Sequence, residues 1–257
     1  MSLDYDTLAA DYARHRTTHP EVLKRLMEQG AVTFGTRLLD VGCGTGNYTV
    51  ALGNGTGCEA WGVEPSEGMR DTALARLAHG RVKAGRAERL DFQDDFFDLV
   101  FSVDVIHHVK DQPAYHREAF RVLRPGGRFC TVTDSEEIIR HRAPLATHFP
   151  ETVEVELQRY PPIADLRRMM GEAGFTAIEE ETIAFPHALT DIQKYRDKAF
   201  SSLHLITPDA FNRGMARLVK ELQERGSVAA NARYTLVWGI KPEGGPQESQ
   251  RIRSSVS

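Results

Sequence analysis

The stretch Arg37-Leu38-Leu39-Asp40-Val41-Gly42-Cys43-Gly44-Thr45-Gly46-Asn47-Tyr48-Thr49-Val50-Ala51-Leu52 decides the fold. It reads as an apolar run ending in an acid, three glycines on alternate positions, then an apolar helical pattern. A strand, tight turn and helix start take that form where backbone must approach a ligand closely, because glycine removes the Cβ atoms that would hold the ligand off. The helix start also leaves N–H groups without intrahelical partners, which favours a polar or negatively charged ligand. Dinucleotide-binding folds use such a turn as well, with glycines at the first, third and sixth positions. Counted from Gly42, the sixth position is Asn47 and the third glycine falls fifth, at Gly46, so the dinucleotide spacing fits poorly.

Working outward, Cys58-Glu59-Ala60-Trp61-Gly62-Val63-Glu64 reads as a second strand ending in an acid, and Pro65-Ser66-Glu67-Gly68-Met69 opens a helix. Glu64 lies 22 positions beyond Gly42 (64 against 42). That is close to the roughly 20-residue offset at which a strand-end carboxylate accepts hydrogen bonds from ribose hydroxyls. From Thr36 to Thr133 short β-branched runs alternate with helical patterns, the rhythm of a parallel, doubly wound sheet. Ligand in such a sheet belongs at the carboxyl ends of the strands, where the glycine turn, Glu64 and the segment after Ser102 would converge.

With Asp40 two residues before Gly42, the glycine segment resembles motif I of the class I S-adenosylmethionine-dependent methyltransferases. Gly85-Arg86-Ala87-Glu88-Arg89-Leu90 is similar to that family's adenine-edge loop, and Phe97-Asp98-Leu99-Val100-Phe101-Ser102-Val103-Asp104 to the strand facing the methionine part of the cofactor. Arg121-Val122-Leu123-Arg124-Pro125-Gly126-Gly127-Arg128-Phe129 is similar to the helix-turn-strand that follows. The resemblance implies S-adenosyl-L-methionine as cofactor, bound by Asp40, Gly42, Cys43, Gly44, Gly46, Asn47, Glu64, Pro65, Met69, Ala87, Glu88 and Ser102. On it, Glu64 grips the ribose hydroxyls, Met69 packs on the adenine, and Ala87 backbone or Glu88 meets the adenine amine, Arg86 standing where related sequences often carry Asp. The small-molecule branch, including the ubiquinone and menaquinone C-methyltransferases, shares these motifs, which constrain the reaction and not the acceptor atom.

A formal charge of −4 with 26% charged residues gives no basic field for nucleic acid, and the arginines are scattered along helical patterns. No apolar run approaches the roughly 20 residues of a bilayer span, and Met1-Ser2-Leu3-Asp4-Tyr5-Asp6 lacks the features of a signal peptide, so a cytoplasmic, small-molecule enzyme, monomer or homodimer, is expected. Cys43, Cys58 and Cys130 sit at unrelated spacings and suggest neither a disulfide framework nor a metal site. Arsenite methylation, which wants several converging thiols, is disfavoured because no cysteine lies in either cap insertion.

Residues 1–30 read as two helices, the second opening at Pro20 with Val22, Leu23, Leu26 and Met27 on one face. In the resembling family such helices form a lid, so Tyr12 or Arg16 either reaches the cofactor or belongs to a helix docked on the sheet. Past Asp104, His107 and His108 are candidate catalytic groups: one could take a proton from the acceptor, or they could pack on the cofactor or cap a helix. The connection 134–162 is long enough to carry its own helices, and in similar enzymes such insertions recognise substrate, which makes Arg140, His141, Arg142 and Tyr160 candidates. Ile163 to Ala173 is a helix closed by Gly174, followed by a strand from Thr176 to Glu180.

The last strand, Arg233 to Ile240, resembles one arm of the antiparallel hairpin that ends a methyltransferase sheet, whereas dehydrogenase sheets are usually parallel throughout. Between the final strands, two amphipathic patterns, the second after the capping signal Thr207-Pro208-Asp209, suggest a helical cap over about 184–232 whose inner face, Tyr195, Phe200 and His204, could line the acceptor pocket. The expected architecture is thus an α/β, doubly wound, seven-stranded, mostly parallel sheet over 31–183 and 233–242, with an antiparallel terminal hairpin, helical cap insertions and a polar, disordered tail from 243. Two alternatives to methyl transfer remain: a nicotinamide-dependent oxidoreductase, and a catalytically silent protein that binds S-adenosylmethionine and regulates.

Overall fold

The structure, a computed structural model, describes residues 17–77 and 81–244. Tyr12, Arg16 and most of the tail lie outside the described residues.

Helix α1 (Pro20–Gln29) begins with proline in its first turn and buries Val22 and Leu26 against the sheet. Strand β1 (Arg37–Val41) leads through the glycine turn into α2 (Asn47–Thr56), then β2 (Glu59–Val63), α3 (Glu67–Arg76), β3 (Val82–Lys83) and β4 (Phe97–Val103). A 3₁₀ turn at Ile106–His108 precedes α4 (Gln112–Val122) and β5 (Leu123–Thr133). The long connection folds as α5 (Glu136–His141), α6 (Leu145–His148) and α7 (Glu151–Arg159), and α8 (Ile163–Ala173) leads into β6 (Thr176–Leu189). After α9 (Gln193–Arg196), a 3₁₀ turn at Ser201–His204 and α10 (Pro208–Arg225), β7 (Val228–Ile240) ends the sheet.

The sheet has seven strands in the order β3-β2-β1-β4-β5-β7-β6, with β7 antiparallel to both neighbours and the other pairings parallel. Strand order reverses between β1 and β4, so a crevice opens at their carboxyl ends. Leu38, Leu39, Asp40 and Val41 are all buried, as expected for a strand covered on both faces. Leu39, Val41, Val100 and Phe129 meet α4 and α8 on one face, whereas Leu38, Leu99, Phe101 and Val132 meet α1 and α2 on the other.

The final hairpin is longer than the sequence pattern suggests. Pairing continues from Ile183↔Tyr234 through Phe185↔Ala232 to Leu189↔Val228, so both strands run beyond the sheet and the helical segment between them spans 190–227. Ala229, Ala230, Asn231 and Ala232 have little intrinsic strand preference; their partner strand supplies it. Upon this extension sits a separate apolar cluster, in which Phe149, Tyr195, Leu203 and Leu218 are buried. Thr207 starts α10 by accepting a hydrogen bond from the Ala210 N–H at 3.2 Å.

Candidate functional site

The crevice opens into a cavity of about 1480 Å³. One wall is the glycine turn and the strand ends beside it: Gly42, Cys43, Gly44, Asn47, Glu64, Pro65, Met69, Ala87 and Glu88, with His107 and His108 at the side. The opposite wall comes from α7, the hairpin extension and the cap, through Arg159, Phe185, His187, Lys194, Phe200 and Tyr234.

The turn is left-handed at Gly42 and Gly44, with φ of +72° and +55°. A Cβ on Gly42 would lie 2.6 Å from Val105 Cγ2, so glycine is required there by contact as well as by backbone. At Gly44 the nearest atom to such a Cβ is Met69 Sδ at 3.8 Å, which leaves that position as open floor. Glu64, at the end of β2, is buried and its two oxygens accept from the Gly44 N–H at 2.9 Å and the Ser66 N–H at 2.8 Å. These bonds fix the carboxylate's direction.

Asp40 lies beneath the turn rather than on the cavity surface, accepting from the Thr49 hydroxyl at 2.7 Å. Burial pushes its carboxyl up to about 7, an effect that the Thr49 hydrogen bond opposes and the nearby Glu64 charge adds to. Burial likewise raises the Cys43 thiol, with Asp40 and Glu64 adding to the effect. Gly46 caps α2 and Ser102 is fully buried in β4, and neither faces the cavity.

Beyond β4, Asp104 takes a left-handed φ of +57°, which an aspartate tolerates better than most side chains, and turns the chain into the 3₁₀ turn that presents the histidines. The His107 ring stacks on Tyr160, centroids 4.1 Å apart and planes 18° apart, and tilts against His108 at 3.9 Å. Tyr160 belongs to a smaller cavity of about 150 Å³ that adjoins the first through Asp104, His187, Lys194, Phe200 and Tyr234. Burial raises its hydroxyl, with Asp134, Asp104 and Glu156 adding to the rise. Behind it Arg142 is clamped between Asp134 and Glu156, donating to both, the second at 2.6 Å. Burial alone would lower the guanidinium, but the two carboxylates hold it above its ordinary value.

Of the other acceptor-pocket candidates, Phe200 lines both cavities and Tyr195 the smaller one. Arg140 is exposed and His204 Nε2 donates to the Lys198 carbonyl at 2.9 Å; neither lines a cavity. Several lining residues escape sequence reasoning: His19, Tyr48, Arg159, His187 and Tyr234. His19 donates its backbone N–H to the Tyr48 hydroxyl at 3.0 Å and packs its ring on Phe185 and Tyr234 at 4.2 and 5.3 Å. Burial lowers its imidazole, Glu21 opposes that, and His187 adds to it. Apart from Tyr48, which follows the glycine turn, no motif marks these positions; the hairpin supplies His187 and Tyr234, and α7 supplies Arg159.

Comparison with known proteins agrees with this geometry. A family model described as a methyltransferase domain matches residues 39–131, the segment from β1 to β5. The chain is 30% identical to the demethylmenaquinone methyltransferase of Staphylococcus aureus over 175 residues, 59% of this chain and 73% of that one. Among solved structures, a protein from an antibiotic biosynthesis pathway of Anabaena variabilis superposes with a TM-score of 0.70 at 24% identity, over 87% of this chain and 98% of that one. Phosphoethanolamine N-methyltransferase 2 of Haemonchus contortus, solved with phosphomonomethylethanolamine and S-adenosylhomocysteine, superposes with a TM-score of 0.60 at 23% identity, over 92% of this chain and 57% of that one. These likenesses and the antiparallel β7 do not favour the nicotinamide-dependent alternative. Among the described residues no helix is long and apolar enough to cross a membrane, and no three potential ligands gather to hold a metal.

Proposed function

The chain belongs to the class I S-adenosylmethionine-dependent methyltransferases, and from that premise we propose that it methylates a small molecule seated between the strand ends and the helical cap. The observation that carries this reading is a cavity of about 1480 Å³ with the glycine turn on one wall and the cap on the other. Ligand pockets usually run from about 300 to 1,000 Å³, so the space suits a cofactor and an acceptor side by side.

The residues present fit the cofactor. Gly44 leaves an open floor over Met69, and Glu64, oriented by the Gly44 and Ser66 N–H groups, offers a buried carboxylate to a pair of hydroxyls. Ala87 and Glu88 close the edge of that wall, Glu88 accepting from the Lys110 N–H at 2.9 Å. S-adenosylmethionine supplies an activated methyl group on a sulfonium when bound. The protein's work is then mainly positional, holding a nucleophile at near-attack distance, about 3–3.5 Å, and in line. His107 and His108, facing the cavity beside Asp104, are placed to take a proton from a hydroxyl, amine, thiol or carbon acid as it is methylated. The stack on Tyr160 fixes the His107 ring, and the cap and α7 exclude water.

The test is turnover: incubation with methyl-labelled S-adenosylmethionine and a panel of small phenols, amines, thiols and quinols should yield labelled product and S-adenosylhomocysteine in equal amounts. His107→Gln should then lower kcat by about 100-fold with S-adenosylhomocysteine affinity unchanged, if that ring is the base. Full activity in both His107→Gln and His108→Gln would remove both from the chemistry, and no turnover across the panel would remove the proposed acceptor class.

A further inference from the structure

The cavity is charged unequally. Every carboxylate lining it, Glu21, Glu64, Glu88 and Asp104, comes from residues 17–110, where Arg86 and Lys110 offset two of the four, whereas the wall contributed by residues 155–234 holds Arg159, Lys194 and His187 and no carboxylate. Arg159 is the decisive member. It closes α7 half-buried, and its Nη1 donates to the Ser201 hydroxyl of the cap at 3.2 Å. Nearby arginines are neutralised, Arg142 by Asp134 and Glu156 and Arg233 by Glu137, but no carboxylate pairs with Arg159 among the described residues.

A guanidinium that has lost part of its water and gained one neutral hydroxyl has donors to spare, and its planar fork matches an oxyanion. The negative groups of the adjoining small cavity do not answer it. Asp134 and Glu156 are held by Arg142, and Asp104 lies at the end of β4 on the histidine side. The same wall carries the rings of Phe185, Phe200 and Tyr234, which suit an apolar or aromatic frame.

We propose that the cap wall is a subsite for an anionic group on the acceptor, a carboxylate or phosphate carried by an aromatic or apolar frame and gripped by Arg159, with His187 on the same wall. This deepens the methyltransferase reading and rests on it, because the anion is taken to sit opposite the wall that holds the cofactor. The same asymmetry would point the uncharged, nucleophilic end of the acceptor toward the turn and away from Arg159.

The experiment is calorimetric titration of the full chain saturated with S-adenosylhomocysteine, using two matched pairs: 4-hydroxybenzoate against its methyl ester, and phenyl phosphate against phenol. At least one anion should bind about tenfold or more tightly than its neutral partner, which also tells carboxylate from phosphate. Arg159→Gln should bring the pair within about twofold, Arg159→Lys should keep part of the preference, and S-adenosylhomocysteine affinity should hold in both. No anion preference in either pair, absence of measurable binding by both anions, or a preference that survives Arg159→Gln would overturn the subsite while leaving the cofactor reading intact. Failure of the wild-type chain to bind S-adenosylhomocysteine would instead defeat the methyltransferase reading, and the subsite with it.

Discussion

The two walls of the cavity are built in opposite ways. The turn wall is local: Gly42 to Asn47, Glu64 to Met69 and Ala87 to Glu88 each lie within a few residues of one strand end, and backbone N–H groups do much of the work. The cap wall is assembled from distant pieces, with Arg159, His187 and Tyr234 arriving from a helix and two strands and acting through side chains. A wall made of backbone tolerates little change of residue and fixes one ligand, whereas a wall made of side chains on an appended hairpin can differ without disturbing the sheet. On the function proposed above, reaction chemistry would reside in the first and acceptor choice in the second.

If the walls are independent in this way, damage to one should leave the other working. The largest effect is expected at Arg142, behind the cap wall. Arg142→Met leaves Asp134 and Glu156 buried without their shared cation and should cost about 3–5 kcal/mol of stability in denaturant unfolding. S-adenosylhomocysteine affinity of the folded fraction should stay within about twofold. Replacing the three together, as Arg142→Met with Asp134→Asn and Glu156→Gln, should recover most of the loss; no recovery would mean that the network does more than neutralise itself.

On the turn wall, Asp40 makes a pH-dependent prediction. Its carboxyl stands at about 7 when folded against 3.8 when free, so the folded chain keeps a proton that the unfolded chain gives up between these values. Stability from this group is then greatest below about 4, declines as pH rises toward 7 and levels off above it. Asp40→Asn keeps an acceptor for Thr49 and should stabilise the protein by on the order of 2–4 kcal/mol at pH 8 and by almost nothing at pH 4. An equal shift at both pH values would contradict the raised carboxyl.

The smallest effect is expected within the cap itself, at a residue that lines neither cavity. Thr207→Ala removes the cap of α10 and should cost about 1 kcal/mol, seen as a small fall in denaturation midpoint with neither ligand affinity changed. A change in S-adenosylhomocysteine affinity there would show that the cap and the turn are coupled.

The same contrast explains what could be read from the sequence. The alternate glycines, Asp40 and Glu64 announce themselves because turn geometry and strand-end position are written within a few residues. The seven-stranded order with its antiparallel β7 follows from the rhythm of the segments and the resemblance they carry. The hairpin extension was not legible, since the strand reads as ending at Glu180 and Ala229 to Ala232 as part of the helical cap until their pairing is seen. Nor could an amphipathic pattern say which of its rings face ligand: Tyr195 packs under the cap near Phe149, while Phe200 beside it reaches the main cavity. Arg159 closes an ordinary amphipathic helix, and what distinguishes it is that no carboxylate among the described residues pairs with it, which is a fact of three dimensions.

The most direct measurement is calorimetric titration of the wild-type chain and of Glu64→Ala with S-adenosylhomocysteine, with NADH as control. Micromolar binding by the wild type, no binding of NADH, and a loss of about 3 kcal/mol in Glu64→Ala, near 100-fold, are the results expected if the β2 carboxylate holds the ribose hydroxyls. Unchanged affinity in Glu64→Ala would contradict the placement of the cofactor on the turn wall, and binding of NADH in place of S-adenosylhomocysteine would contradict the cofactor itself.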